Sequence, residues 1–143
     1  MQGLSQRASA IAQNTLTISS DLSEVGRARE WISTLAQQAG LCAQENYELQ
    51  LAVSEACTNA IKHAYSMVKG HTVVLSAEID NSQIRLVIKD FGVKLDLESY
   101  QEPDLDKPSE SGYGIYILRR LMDELYFDLS HDEGTEVIMV KRR

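Results

Sequence analysis

The chain has few of the residues that cross-link proteins or carry them into membranes. Its two cysteines, Cys42 and Cys57, have neither CxxC spacing nor a histidine at metal-site spacing, so neither a disulfide framework nor a zinc site is indicated. No apolar run approaches the roughly 18 residues that a membrane span needs. Residues 1–13 also lack the basic start and apolar block of a secretory signal. We therefore expect a cytoplasmic protein with no membrane partner.

Basic residues are in the minority. The chain has 14 lysines and arginines against 21 acidic residues, a net charge of −7, and this argues against direct nucleic-acid binding because that function needs a basic surface. Six acids and one lysine between Asp96 and Gly112 give that segment −5 of the total. A length of 143 residues suits a single domain with a sizeable core. We expect a flexible N-terminus at 1–12 and one domain at 13–143.

Apolar periodicity predicts three helices and five strands. The helices run from about Leu22 to a stop at Gly40, from Glu48 to Tyr65, and from Gly112 to Leu125. The strands are predicted at Thr15–Ser19, Val73–Ile79, Ile84–Ile88, Tyr126–Ser130 and Thr135–Val140. A polar loop with both prolines separates the third strand from the third helix. This order predicts an α+β fold of two layers, a mixed and mostly antiparallel sheet covered on one face by helices.

The central predicted helix, Glu48 to Tyr65, carries polar side chains where a plain core helix has none. One arc is apolar, and a polar stripe along its margin is formed by residues four apart: Glu55, Asn59 and His63. Asparagine is a poor helix former and needs a bonding partner other than its own backbone. A divalent metal with attached phosphates would serve, because Mg²⁺ favours oxygen ligands. On spacing alone, ordinary polar residues at a solvent margin are an equally good interpretation.

Three further motifs suggest a nucleotide. Gly112-x-Gly114 opens a helix, where unpaired N–H groups and the helix dipole favour phosphate. Asp90 ends an apolar strand, where its carboxylate could accept a hydrogen bond from an exocyclic amine, and Gly92 leaves room for a flat ring. Gly134-Thr135 precedes the last strand. Taken singly, each has a simpler explanation: a loop-to-helix joint, a turn-forming Asp-x-Gly and a hairpin turn.

Together these motifs resemble the four boxes of the GHKL ATPase superfamily, which has the Bergerat-type ATP-binding fold. Within that superfamily, two stretches resemble the anti-sigma-factor serine kinases of bacterial partner-switching systems. They are Ser54-Glu55-Ala56-x-Thr58-Asn59-Ala60-x-x-His63-Ala64-Tyr65 and Gly114-Ile115-x-Ile117-Leu118-x-x-Leu121-Met122-Asp123-Glu124. The resemblance covers Thr15 to Lys141, nearly the whole chain.

The resemblance implies ATP and Mg²⁺ as cofactors and assigns roles to the boxes. Asn59 would ligate Mg²⁺, and Glu55 would act as general base on a substrate serine. Asp90 would bond the adenine amine, with Gly92 letting the ring sit close and Thr135 supporting Asp90.

The remaining assigned positions concern the phosphates. Gly112 and Gly114 would flank them, together with Tyr113 and Ile115 in the same turn, beneath an ATP lid at 93–111. The segment before Gly112 reads Ser109-Glu110-Ser111 where many of the resembling kinases have an arginine, so the cations available nearby are Lys94 and Lys107. His63 matches a family position, either as a site residue or as a structural histidine.

The implied activity is phosphorylation of a small anti-sigma-factor antagonist, a STAS-domain protein, by an enzyme that alternately binds a sigma factor or another regulator. Homodimers are common among the resembling kinases. The alternative is a binding module in which nucleotide shapes a partner surface without phosphate transfer. A sensor histidine kinase is disfavoured because none of the three histidines, His63, His71 and His131, lies in an upstream dimerisation helix. We also expect no transducer domain of the gyrase or MutL type after Gly134.

Overall fold

The computed structural model describes residues 10–98 and 113–143. Its sheet contains five strands: β1 (Ala10–Ser19), β2 (Thr72–Asp80), β3 (Gln83–Asp90), β4 (Glu124–Asp128) and β5 (Glu136–Arg142). The helices are α1 (Val25–Gln38), α2 (Ala43–Asn59) and α3 (Tyr113–Leu121). The element order β, α, α, β, β, α, β, β is the order that the sequence predicted.

The strands lie in the order β1-β2-β3-β5-β4, and all four neighbouring pairs are antiparallel. The sequence predicted a mixed, mostly antiparallel sheet. A parallel pair is absent from the described sheet because β5 is inserted between β3 and β4, the two strands that run in the same direction. The predicted turn at 80–82 joins β2 to β3, with the Asp80 carboxylate accepting from the Ser82 and Gln83 N–H groups at 2.8 and 2.9 Å.

One face of the sheet packs against helices and forms the core, which confirms the α+β two-layer architecture. Burial alternates along β2 and β3, as expected for strands with one covered face. Helices α1 and α2 pack on each other above that face. The predicted apolar arc is buried along α2 and the turn that follows it: Leu49, Val53, Ala56, Ala60 and Ala64. Among the described helices, none has the length and apolar character to cross a bilayer.

The ends of the first elements differ in detail from the prediction. Strand β1 begins at Ala10, five residues before the predicted start, and pairs with β2 from Ala10 opposite Asp80. The first helical residues form a 3₁₀ turn at Leu22–Glu24, which Asp21 caps before α1 begins. Asp21 accepts from the Ser23 N–H, whereas Ser20 is buried and donates to the Val68 carbonyl oxygen at 2.6 Å. The predicted stop is confirmed, because Gly40 has φ +74° just after α1.

The boundary between α3 and β4 lies earlier than predicted. The apolar series extended the helix to Leu125, but α3 ends at Leu121 and Leu125 lies in β4 opposite Met139. The Asp123 N–H donates to the Val140 carbonyl oxygen at 2.9 Å, which begins the sheet pairing. Leu125 packs against the same core as Leu121, so apolar spacing alone continued the helix into the strand.

Candidate functional site

Helix α2 changes its geometry at the polar stripe. The α-helical bonds end at Asn59, and residues Ala60–Ala64 form a wider π-helical turn closed by the Tyr65 N–H on the Ala60 carbonyl oxygen at 3.1 Å. Because this turn holds one more residue than an α-helical turn, His63 does not continue the predicted stripe of residues four apart. His63 is exposed. Such turns are frequent at functional sites, and this one borders a cavity.

A cavity of about 610 Å³ lies beside this turn, within the roughly 300–1,000 Å³ of typical ligand pockets. The structure brings seven of the predicted site residues into its lining: Asn59, His63, Asp90, Lys94, Gly114, Ile115 and Thr135. Ile88, Leu118, Phe127 and Val137 provide apolar walls. Of the other predicted residues, Lys107 and Gly112 lie outside the described part of the chain, and Tyr113 begins α3.

Asp90 is the buried carboxylate of the cavity. The residue is only 5% exposed. Its Oδ1 accepts from the N–H groups of Gly92 at 3.1 Å and Thr135 at 3.2 Å. Burial raises the pKa of the Asp90 carboxyl, and these two hydrogen bonds oppose that rise without cancelling it. Both bonds end on Oδ1, which holds the carboxylate in one orientation. An acceptor fixed in this way can select a ligand that carries an amine.

Gly92 is required by the protein itself. A Cβ at Gly92 would collide with the Ala64 carbonyl oxygen and lie 2.9 Å from the Tyr65 ring. Gly92 does not line the cavity among the described residues, so its visible role is to let the chain after β3 pack against the end of the π-helical turn. The room for a flat ring that the sequence predicted remains a prediction.

Thr135 connects two parts of the site. The Thr135 carbonyl oxygen accepts from the Asp90 N–H at 3.0 Å, and the Thr135 N–H donates to Asp90 Oδ1 at 3.2 Å. The Thr135 hydroxyl oxygen accepts from the Leu95 N–H at 3.0 Å. The Val93 N–H donates to the Ala64 carbonyl oxygen at 2.9 Å. The first residues of the predicted lid at 93–111 are therefore bonded to Thr135, just before β5, and to the π-helical turn after α2, whereas its residues 99–111 lie outside the described ranges.

The other end of the cavity joins α2 to α3. A Cβ on Gly114 would lie 2.5 Å from Asn59 Nδ2 and 2.6 Å from Oδ1, so the Asn59 amide occupies the space beside the first turn of α3. One amide oxygen next to the N–H groups of a helix start suits phosphates with Mg²⁺, which takes few protein ligands when it binds phosphates. Lys94 adds an exposed positive charge to the lining.

Glu55 lies one helical turn before Asn59. It is half-buried and follows Ser54, whose Oγ accepts from Arg29 of α1 at 2.9 Å. Glu55 is not among the described residues that line the cavity, although its neighbour Ala56 is. This position beside the cavity suits a group that acts on a second substrate rather than on the nucleotide.

Sequence reasoning missed two features of the site. Tyr65 had no predicted role of its own, yet its hydroxyl donates to the Thr72 carbonyl oxygen and accepts from the Phe91 N–H. The cavity also has a floor of small side chains one turn apart, Ala56, Ala60 and Ala64. Their regular spacing was visible in the sequence, but it was interpreted only as a core-facing arc.

This combination of a helix-covered antiparallel sheet and a cavity between α2, β3 and α3 agrees with the comparisons. A family described as a histidine kinase-like ATPase domain matches residues 18–141, which defines the class of the protein. The histidine kinase domain of a blue-light activated histidine kinase from Erythrobacter litoralis EL346 superposes with a TM-score of 0.56 over 84% of this chain, at 20% identity. The aligned region spans 59% of that chain, and the likeness supports the fold.

Individual relatives narrow this class. The serine-protein kinase RsbW of Bacillus licheniformis is 33% identical over 125 residues, covering 82% of this chain and 77% of that protein. RsbW of Bacillus subtilis strain 168 is 32% identical with the same coverage, and RsbW of Bacillus cereus strain AH820 is 30% identical over 75% of this chain and 70% of that protein. The chain belongs to the RsbW family of serine-protein kinases, within the histidine kinase-like ATPases.

Proposed function

We propose that the chain is an ATP-dependent serine-protein kinase that phosphorylates a small STAS-type antagonist protein. The observation that carries this proposal is the arrangement of one cavity with a fixed carboxylate, Asp90, at one end and the Asn59 amide against the α3 turn at the other. A base-selecting acceptor and a phosphate-binding helix start lie in the same cavity, as an adenine nucleotide requires. The relatives named serine-protein kinase support the same activity.

The residues divide the work of phosphoryl transfer. Asp90 accepts from the adenine amine, and the N–H groups at the start of α3 orient the phosphates. Asn59 would hold Mg²⁺, and the metal would supply neutralisation of the phosphate charge. Glu55 takes the proton from the substrate hydroxyl as that oxygen bonds to the γ-phosphorus and ADP leaves. Because phosphoryl transfer depends mainly on positioning and charge neutralisation, these groups nearly complete a site.

Partner switching follows from this chemistry. The phosphate added to the antagonist's serine introduces about −1.5 to −2 charge into its contact surface and releases it from the kinase. The freed kinase then binds a sigma factor or another regulator. We place this exchange in the cytoplasm, with the kinase as a homodimer or a monomer. The RsbW relatives support these partners by family membership alone.

A nucleotide-dependent binding module without transfer is the second candidate. The acidic character of residues 96–112 favours it, because negative charge there opposes the close approach of a triphosphate. Incubation of the chain with labelled Mg·ATP and purified STAS-domain proteins distinguishes the two functions. The kinase yields phosphoserine on one of them, whereas the binding module yields a nucleotide-dependent complex and no phosphoserine.

A further inference from the structure

Tyr65 lies where the end of α2, the start of β2 and the end of β3 meet. It is 7% exposed and follows the π-helical turn directly. Its hydroxyl donates to the Thr72 carbonyl oxygen at 2.6 Å and accepts from the Phe91 N–H at 2.7 Å. Phe91 is the residue between Asp90 and Gly92, so a single side chain bonds the turn that carries the candidate base-selecting carboxylate.

The polarity of these two bonds allows little substitution. A tyrosine hydroxyl has one hydrogen to donate, which the Thr72 carbonyl oxygen takes, and a lone pair that receives the Phe91 N–H. A phenylalanine at position 65 would leave both backbone groups without this partner. Leaving such groups unbonded costs more than the net gain of an ordinary hydrogen bond.

The ring of Tyr65 is held as firmly as its hydroxyl. It stacks on His71 with centroids 4.7 Å apart and planes 9° from parallel. Its Cδ1 lies 2.9 Å from the position that a Cβ on Gly92 would take. The tyrosine therefore contacts the Asp90–Gly92 turn twice, through its hydroxyl at Phe91 and through its ring at Gly92.

The backbone after Tyr65 is strained in a way that supports this placement. Ser66 and Met67 have φ values of +50° and +67°, a conformation uncommon for residues other than glycine. The strain turns the chain back at once, so that the Val68 N–H donates to the Tyr65 carbonyl oxygen at 2.8 Å. Strained residues of this kind persist where the surrounding contacts determine them.

We infer that the Tyr65 hydroxyl is a positioning group for nucleotide selection, fixing the Asp90–Gly92 turn relative to the end of α2. Asn59 and Asp90 stand on different elements, and Tyr65 joins those elements so that both can contact one nucleotide. The inference rests on the proposed function, since it assumes that Asp90 selects adenine. Guanine has a carbonyl where adenine has its amine, so a displaced Asp90 loses discrimination against GTP as well as affinity for ATP.

The test compares binding of Mg·ATP and Mg·GTP to three variants of the full chain. Tyr65→Phe is expected to weaken ATP binding about tenfold, from the loss of a buried hydrogen-bond partner, and to reduce the ATP preference over GTP. Tyr47→Phe is the matched control, because Tyr47 is on α2 and 62% exposed. Ile79→Val, in the core at the far end of β2, is the stability control and should lower the melting temperature without changing the ATP:GTP ratio.

A Tyr65→Phe chain that keeps the wild-type ATP:GTP ratio would overturn the inference. A second measurement needs no variant: in the wild-type chain the Phe91 amide should exchange slowly with deuterium, and rapid exchange would contradict its bond to Tyr65. Wild-type protein that binds no adenine nucleotide would overturn both this inference and the proposed function. Wild-type protein that binds ATP selectively but transfers no phosphate would overturn the kinase proposal and leave the positioning role in place.

Discussion

Burial and hydrogen bonding act in opposite directions on the pKa of the Asp90 carboxyl, and the titration of this group tests its role. Burial raises the pKa of its carboxyl above the ordinary 3.8. As pH falls through that raised value, Asp90 gains a proton and becomes a poorer acceptor, so ATP affinity should fall. The free energy of unfolding of the unliganded protein should instead rise as pH falls over this range, because the folded state binds this proton more tightly than the unfolded state does.

Titrations of ATP at several pH values, for wild type and Asp90→Asn, measure this effect. The amide keeps an acceptor oxygen but does not titrate, so the acid-side fall in affinity should be absent from the variant. His63 and Lys94 also line the cavity, and the difference between the two curves isolates Asp90 from them. Parallel curves would show that Asp90 does not contact the nucleotide.

Glu55 should separate binding from transfer. Its position beside the cavity predicts that Glu55→Gln keeps its affinity for Mg·ATP but lowers the rate of phosphoserine formation about 10²–10⁴-fold, the typical contribution of a general base. Calorimetry and a single-turnover transfer assay provide the two readouts. Glu30→Gln, an exposed residue of α1, is the matched control. Unchanged transfer by the Glu55 variant would remove it from the role of base.

Gly114 leaves room for the Asn59 amide. A Cβ there would meet that amide at 2.5–2.6 Å, so Gly114→Ala should displace it and weaken Mg·ATP binding. The control is Gly26→Ala in α1, where the nearest atom is Arg29 Nη2 at 3.8 Å. Equal ATP affinity in the two variants would contradict the contact.

For individual residues, the sequence predicted the role of a side chain better than the neighbours that surround it. Asp90 could be predicted as an acceptor because it ends an apolar strand before a glycine. Its bonds from Gly92 and Thr135 could not, since Thr135 is 45 positions away and only the folded sheet brings it there. The Gly92 and Gly114 contacts were hidden for the same reason: a missing side chain shows its purpose only when its neighbour is known.

The β4–β5 hairpin contributes to the site through its turn. Gly134 has φ +78°, and a Cβ there would collide with the Asp90 carbonyl oxygen. Gly70 has φ +91° with no atom within 4 Å of the same position. An alanine at either position would strain the backbone, but only an alanine at position 134 would also collide with a neighbouring atom. Comparing the two variants therefore distinguishes the cost of strain from the cost of the collision.

Urea unfolding of Gly134→Ala and Gly70→Ala tests this difference. Gly70→Ala should lose about 1–2 kcal/mol, the cost of a left-handed conformation for a residue with a Cβ. Gly134→Ala should lose clearly more, and its ATP affinity should fall because Asp90 is displaced. Equal losses of stability would mean that the hairpin turn yields without disturbing β3.

At the scale of elements, periodicity predicted which elements exist and missed how two of them end. Leu121 and Leu125 face one core from a helix and a strand, so the apolar spacing gave no sign of the boundary. The π-helical turn at Ala60–Ala64 was equally hidden, because its alanines fit an α-helical arc. What reveals it is the Tyr65 N–H bonding five residues back to Ala60.

At the scale of the whole molecule, the topology converts four separated motifs into one site. Asn59 comes from the end of α2, Asp90 from β3, Gly114 from α3 and Thr135 from the approach to β5, and all four line one cavity. Inserting β5 between β3 and β4 makes this possible, because it places Thr135 beside Asp90. We propose that this cavity binds Mg·ATP.

Amide chemical shifts recorded while Mg·ATP is added to the ¹⁵N-labelled chain test that claim most directly. We predict saturable shifts at Asp90, Gly114 and Thr135, with the Gly26 and Gly40 amides unchanged. Shifts confined to the groove around Gly26 and Arg29 on α1, or no shifts at all, would contradict the account.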